Sequence, residues 1–222
     1  MDRSNQPRIV TPGVLCFGTE FISMIETDQI IDITIAPEKD ANITLHFILP
    51  NDITSKKFAI TVNFNHPHAS IEIFGLYQLR DKNAATIHTT INHSVPHCSS
   101  KQVWKGVLHD ASKATFEGRI IVHPNAQKTS AHLSNKNLLL SKTAEVNTKP
   151  ILEIEADDVQ CTHGATVGCL DQNALFYLRS RGVAENDARQ LLIDAFVNEI
   201  TDSITYEPFK QQIESWVTHY VV

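Results

Sequence analysis

Cys161 and His163 stand two residues apart in a strand-like stretch, KPILEIEADDVQCTHGATVG, residues 149–168. Side chains two apart on a strand project from one face, about 7 Å from each other along the chain. A thiolate beside an imidazole suits a soft or borderline metal such as zinc, copper or iron in a sulfur environment. Two ligands do not close a metal site, so the rest would have to come from elsewhere in the fold or from another chain. On spacing alone the plainer reading, a buried cysteine next to a hydrogen-bonded histidine, is the stronger. Asp157 and Asp158 just upstream face opposite ways if the strand reaches them, and read as a strand-end turn with solvated carboxylates.

A second constellation is His66-Pro67-His68 followed by Glu72, an H-x-H-x-x-x-E fragment similar to the metal-binding strand of a cupin. Ile60 and Leu79 stand where that motif would have its glycines, and no second histidine motif follows. A metal-dependent cupin-like enzyme using His66, His68 and Glu72 is therefore the alternative of a different class. His93, His97 and Cys98 form a looser group interrupted by Pro96. The chain has no G-x-S-x-G elbow and no G-x-x-x-x-G-K-[ST] loop, so it is not expected to hydrolyse ATP itself.

These residues need a frame. From Phe21 to Ile154 short segments rich in Ile, Val and Thr follow one another, many in strict alternation, as in Phe58-Ala59-Ile60-Thr61-Val62-Asn63-Phe64. Strand centres at Ile33, Leu45, Ile60, Ile73, Ile87, Val103 and Phe116 are separated by 12, 15, 13, 14, 16 and 13 residues. Such spacing without intervening helices suits a sandwich, a jelly roll or a β-solenoid. Asn-Gly and Asp-Gly hairpin pairs are absent and the chain has 8 glycines. Corners of Lys-Asn, Pro-Asn and Ser-Asn fit a solenoid better, because its turns bend the chain without reversing it.

The period changes after Gly168. Asp171 can cap a helix from Gln172 to Arg181 that Gly182 stops. Ala188, Leu191, Leu192, Ala195, Phe196 and Ile200 form the apolar stripe of a second helix. Pro208 opens a third, with Phe209, Ile213, Trp216, Val217 and Tyr220 on one face. The expected architecture is a mainly β unit over 1–168 followed by a small helical domain over 169–222.

The 222 residues carry a net charge of −6 and no basic run, which argues against a nucleic-acid surface. No apolar run approaches the ~20 residues that span a bilayer, and no export signal is read near the start, so a cytoplasmic location is expected. The four cysteines, Cys16, Cys98, Cys161 and Cys169, show no disulfide-framework spacing and are expected to be reduced.

The stretch from Lys149 to Gly168, continued by LDQNALFYLRSRG to Gly182, closely resembles the C-terminal signature of SufD, a scaffold component of the SUF iron–sulfur cluster assembly machinery. HPNAQKTSAHLSNKNLLLSKTAEVNTKP, residues 123–150, resembles the segment that precedes it in the same family. The resemblance implies a right-handed parallel β-helix followed by C-terminal helices, and a non-catalytic scaffold with no permanently bound cofactor. It implies pairing with a SufB-like scaffold through the β-helix, a SufC-like ATPase bound at the C-terminal helices, and a role in iron supply. Cys161 and His163 then correspond to the family's Cys-x-His at the scaffold interface, as candidates for holding iron or a nascent cluster with groups from the partner. Phe176, Tyr177, Arg179 and Arg181 become the candidates for contact with the ATPase, and Gly164 and Gly168 would bend the chain out of the coil toward the helices. A homodimer through the same edge is expected when the SufB-like chain is absent. The family's N-terminal helical region is not recognised before the strands, which leaves functions resting on it, such as contacts with sulfur donors, without support here. A plain β-helical structural protein, with an idle Cys-x-His, is the blandest alternative.

Overall fold

The computed structural model describes residues 8–11, 14–17, 20–24, 31–49 and 55–217, with side chains described over 32–49 and 57–214. The strands are β1 (Arg8–Thr11), β2 (Val14–Phe17), β3 (Glu20–Met24), β4 (Ile31–Ile35), β5 (Asn42–Leu49), β6 (Ser55–Phe64) and β7 (Ser70–Leu79). They continue as β8 (Ala84–His93), β9 (Ser99–Leu108), β10 (Lys113–Val122), β11 (Ser130–Leu139), β12 (Glu145–Ile154) and β13 (Gln160–Gly168). Three helices follow: α1 (Gln172–Ser180), α2 (Glu185–Thr201) and α3 (Glu207–Val217). All seven strand centres read from the sequence fall in strands, β4 to β10 in order.

From β3 onward each strand pairs in parallel with the next but one. The chain thus alternates between a sheet ordered β1-β2-β3-β5-β7-β9-β11-β13 and a second ordered β12-β10-β8-β6-β4. The result is a parallel β-solenoid of about 4 turns. Strands β5, β7, β9, β11 and β13 begin at Asn42, Ser70, Ser99, Ser130 and Gln160, so one coil takes 28 to 31 residues. Alternation sends one set of side chains into the space between the sheets. Phe64, Ile73, Tyr77, Ile91, Trp104, Phe116 and Leu133 meet there, each at most 1 % exposed. Burial on that scale is what holds the coils together, since parallel strands gain little from local contacts.

The corners turn almost without glycine. Asp40, His68, His97 and Lys128, each two residues before β5, β7, β9 and β11, have φ between 59° and 64°. Asp81 and Asp110 do the same before β8 and β10, at φ 56° and 51°. Left-handed backbone at non-glycine residues is uncommon, with Asp and His among the enriched types. Of the corner pairs expected from sequence, Lys82-Asn83 and Pro124-Asn125 lie at corners. Ser134-Asn135 and Lys136-Asn137 do not: they lie in β11, where Asn135 and Asn137 point inward and are buried. Side-chain hydrogen bonds from Tyr77 and Thr148 make that burial tolerable.

Glycine is used inside the sheet instead. Gly75 is the register neighbour of Trp104, and Tyr77 of Gly106, across the same two strands. A Cβ at Gly75 would collide with the Trp104 ring, and one at Gly106 with Tyr77 and Asn137. Each glycine leaves the space into which a large ring of the adjoining coil lies down.

The outer face of the first sheet is covered by the helices. Ile48, Phe74, Leu76, Val103, Val107 and Leu138 pack against Ile193, Val197, Ile200, Phe209 and Ile213. The buried face of α2 is Ala188, Ile193, Val197, Ile200 and Thr201, which corrects the expected stripe. Leu191 is 50 % exposed and Ala195 is exposed, while Leu192 and Phe196 lie at the margin. Apolar residues surround this helix, so periodicity did not select a face and the sheet did. In α3, Phe209 and Ile213 are buried as expected; the side chains of Trp216 and Val217, and Tyr220 altogether, lie outside the described residues. Lys105, on the covered face of β9, donates to the carbonyl of Phe196 and pairs with Glu199 at 2.8 Å. Burial pulls its pKa down, while Lys105 holds Glu199 below the usual carboxylate range.

Candidate functional site

The last coil is made of β12 and β13. Each pairs on one side only, β12 with β10 and β13 with β11, and among the described residues neither has a neighbour on its other side. The parallel register sets Cys161 beside Ala131 and His163 beside Leu133. Ala131 and Leu133 are core residues, so Cys161 and His163 share the inward face of the terminal strand. The two therefore lie on one side of β13, as alternation predicts. Cys161 is half-buried and packs against the core, whereas His163 is exposed because no further coil covers it. Burial pushes the Cys161 thiol up, with a backbone hydrogen bond at Ala131 offsetting part of this. An unliganded Cys161 is thus held as the thiol, and a cation arriving beside it would displace the proton.

The same open end exposes apolar surface. Ile154 is 43 % and Val167 47 % exposed, although their register partners Val122 and Asn137 are buried. Beneath β13 lies the polar group of Tyr77, Asn135, Asn137 and Thr148. Asn137 donates to Asn135 at 2.8 Å and to the Thr166 carbonyl at 3.4 Å, while Thr148 donates to Asn135 at 2.7 Å. Burial drives the Tyr77 hydroxyl well above its ordinary pKa, keeping it a neutral donor. Sequence reasoning passed over this group; two asparagines two apart in the alternation of β11 were its signal.

Gly164 and Gly168 do not bend the chain. Strand β13 runs through Gly164 to Gly168, neither has positive φ, and the space where a Cβ would sit is empty at both. Being register neighbours of Ser134 and Leu138, they stay in the ladder, and the chain leaves the sheet at Cys169 to Asp171. Asp171 then caps α1, accepting from the N–H groups of Asn173 and Ala174 at 2.8 and 3.4 Å. Gly182, at φ 89°, ends the turn, its N–H bonded to the Arg179 carbonyl at 3.0 Å.

Helix α1 is anchored by Leu175 alone and turns Phe176 (75 % exposed) and Tyr177 (58 %) outward. Arg181 lies over the Tyr177 ring at 5.4 Å, and Arg179 pairs with Glu185 at 3.3 Å. An open groove of about 530 Å³ runs between Phe176, Arg179, Val183 and Glu185. All four residues expected to meet a partner are therefore on a surface that the described residues leave uncovered.

The cupin-like alternative is overturned by the fold, because the sheets form an open solenoid and not a closed barrel. His66 and His68 sit at a corner, and Glu72 in β7 pairs with Lys101 at 3.4 Å. His93 is buried against Phe64, with Nε2 2.9 Å from the Ser100 hydroxyl. Cys98 is a buried free thiol that donates to the His66 carbonyl at 3.3 Å. Asp157 and Asp158 are exposed in the turn, Asp158 paired with Lys128. Among the described residues no three His, Cys, Asp or Glu side chains are placed to hold a metal together. Nor is any helix among them long and apolar enough to cross a membrane.

Residues 29–196 match the SufBD core domain of SUF-system iron–sulfur cluster assembly. The chain is 41% identical over 153 residues to the iron–sulfur cluster assembly protein SufD of Escherichia coli, covering 69% of this chain and 36% of that protein. It is also 41% identical over 147 residues to a SufBD family protein of Synechocystis, covering 66% and 32%. A SufBD family protein of Mycobacterium leprae is 30% identical over 171 residues, covering 73% and 44%. The chain spans about a third of the length of the first two relatives. With a solenoid whose coils carry this match and a Cys-x-His in its open last turn, the chain belongs to the SufBD family of iron–sulfur cluster assembly proteins.

Proposed function

We propose that the chain acts as a SufD-like scaffold subunit in the cytoplasm, one that performs no catalysis and holds iron or a nascent cluster transiently as cargo. The observation that supports this most is the terminal coil, where a thiol and an imidazole share the inward face of an edge strand bordered by exposed Ile154 and Val167. An unpaired strand edge beside apolar surface invites a second β-sheet to continue the stack. A SufB-like chain docked there would cover Cys161 and His163 and supply the ligands they lack. Shared, incomplete ligation keeps the cargo exchangeable, which suits a subunit that hands it on.

The uncovered face of α1, with Phe176, Tyr177, Arg179 and Arg181, is the second docking surface in this reading. It suits a SufC-like ATPase, where ATP hydrolysis would reside. Three residues separate β13 from α1, so a pull on the helix would be transmitted to the strand carrying Cys161. Without the SufB-like chain, two copies would pair through the same edge.

Co-expression with SufB- and SufC-like partners tests the proposal. Cys161→Ala and His163→Ala chains should still assemble but lose most anaerobically retained iron or cluster. Full retention in the double variant would refute the ligand role. Absence of any SufB-like complex with the wild-type chain would refute the scaffold reading.

A further inference from the structure

The corner histidines are used by neither the terminal coil nor the helices. Extending the register of β5, β7, β9, β11 and β13 back into the preceding corner stacks Asp40, His68, His97, Lys128 and Asp158 in one column. The lower side chains of that column are engaged, Lys128 pairing with Asp158. At the opposite corner the Asp110 carboxylate accepts the Asp81 N–H at 3.0 Å. His68 and His97 differ: they are exposed, and their rings stack with centroids 4.9 Å apart and planes 12° from parallel. Among the described residues no hydrogen bond or ion pair occupies either ring.

We propose that His68 and His97 form a docking site for one divalent transition-metal ion. Imidazole suits zinc, copper, iron and nickel, with metal–nitrogen bonds of about 2.0–2.1 Å. Two such nitrogens around a tetrahedral ion stand about 3.4 Å apart. The rings reach that separation by tipping one edge of each together, a side-chain motion open to exposed residues. Their Cα positions need not move, because the solenoid register and two left-handed corner residues already fix them. Asp40 lies one coil above, about 4.8 Å away along the column. No triad is assembled among the described residues, so the two imidazoles carry the site and water fills the remaining positions. Such a site binds loosely and exchanges quickly.

Its place suggests its use. Asp158 is two coils further along the same column, about 10 Å away, and Cys161 follows three residues later. The pair is therefore a foothold for a metal ion on the ridge that leads to the terminal coil; this role, though not the binding itself, rests on the function proposed above.

Calorimetric titration of the reduced chain with Co²⁺ at neutral pH tests the site. One equivalent of micromolar affinity is expected, weakened at least tenfold in His68→Asn or His97→Asn and lost in the double variant. Asn tolerates the left-handed corner, and His97→Lys copies the residue the next coil uses there, so it should keep the fold and lose the ion. Cys161→Ser with His163→Gln should leave this equivalent in place. An unchanged titration in folded His68→Asn/His97→Asn chain overturns the proposal, as does loss of the equivalent in the Cys161 and His163 variant. Failure to pair with a SufB-like chain would not alter this titration, so the two readings fall separately.

Discussion

The middle coils and the terminal coil repeat one plan but finish it differently. Between β6 and β10 the inward side chains are capped above and below, and Phe64, Ile91, Trp104 and Phe116 are at most 1 % exposed. In β12 and β13 the same positions carry Cys161, His163, Ile154 and Val167, each partly or largely open. The middle positions are fixed by packing, since a vacancy there has no water to fill it. The terminal positions are free of that demand, and chemistry-bearing residues can stand on an inward face without a burial cost. On the function proposed above, a site shared with a partner would stand on the coil that the described residues leave unfinished.

The largest test of this contrast is Trp104→Ala. Removing a fully buried ring that fills the space over Gly75 should cost about 3–5 kcal/mol, read from urea unfolding. A loss below about 1 kcal/mol would mean the middle coils are not close-packed. Next comes His93, whose pKa burial lowers to about 4. Above pH 6.5 both folded and unfolded chains leave it neutral, so it adds no pH dependence. Between pH 6.5 and 4 the unfolded chain takes up a proton that the folded one refuses, and stability should fall by about 3 kcal/mol through that window. The difference between wild type and His93→Leu isolates this from other titrating groups; parallel stability curves from pH 7 to 4 would refute it. The smallest effect is expected at Val167→Ala, under about 1 kcal/mol in the isolated chain. The same change should weaken capture of a SufB-like partner. If it instead unfolds the isolated chain, the terminal coil is as self-sufficient as the middle ones.

What could be read before the structure followed the physics of alternation. Period-two burial located β4 to β10 because one face of each strand is dry, and the Asp171 and Gly182 caps located α1 because capping is local chemistry. Corners were harder. His68, His97 and Lys128 take left-handed backbone that sequence rules assign first to glycine, and polar pairs in β11 imitated corners while serving the interior. The face of α2 was illegible for another reason: with Leu191, Leu192, Ile193, Phe196 and Val197 around it, only the sheet beneath chooses. Cys161 and His163 could be put on one side of a strand from spacing, but not at an open end, since that depends on which strand has no next neighbour.

The crossed arrangement of Gly75 under Trp104 and Gly106 against Tyr77 has a consequence for how the coils find each other during folding. Parallel strands offer evenly spaced bonds at every offset, so a slide by two residues would preserve which side chains face inward. Here that slide would set Trp104 against Ile73 or Tyr77, bulk on bulk, and leave Gly106 against Gly75 or Leu79 in place of the Tyr77 ring. The two glycines act as a keyed joint that accepts one offset and rejects its neighbours, and each later coil inherits the alignment set there.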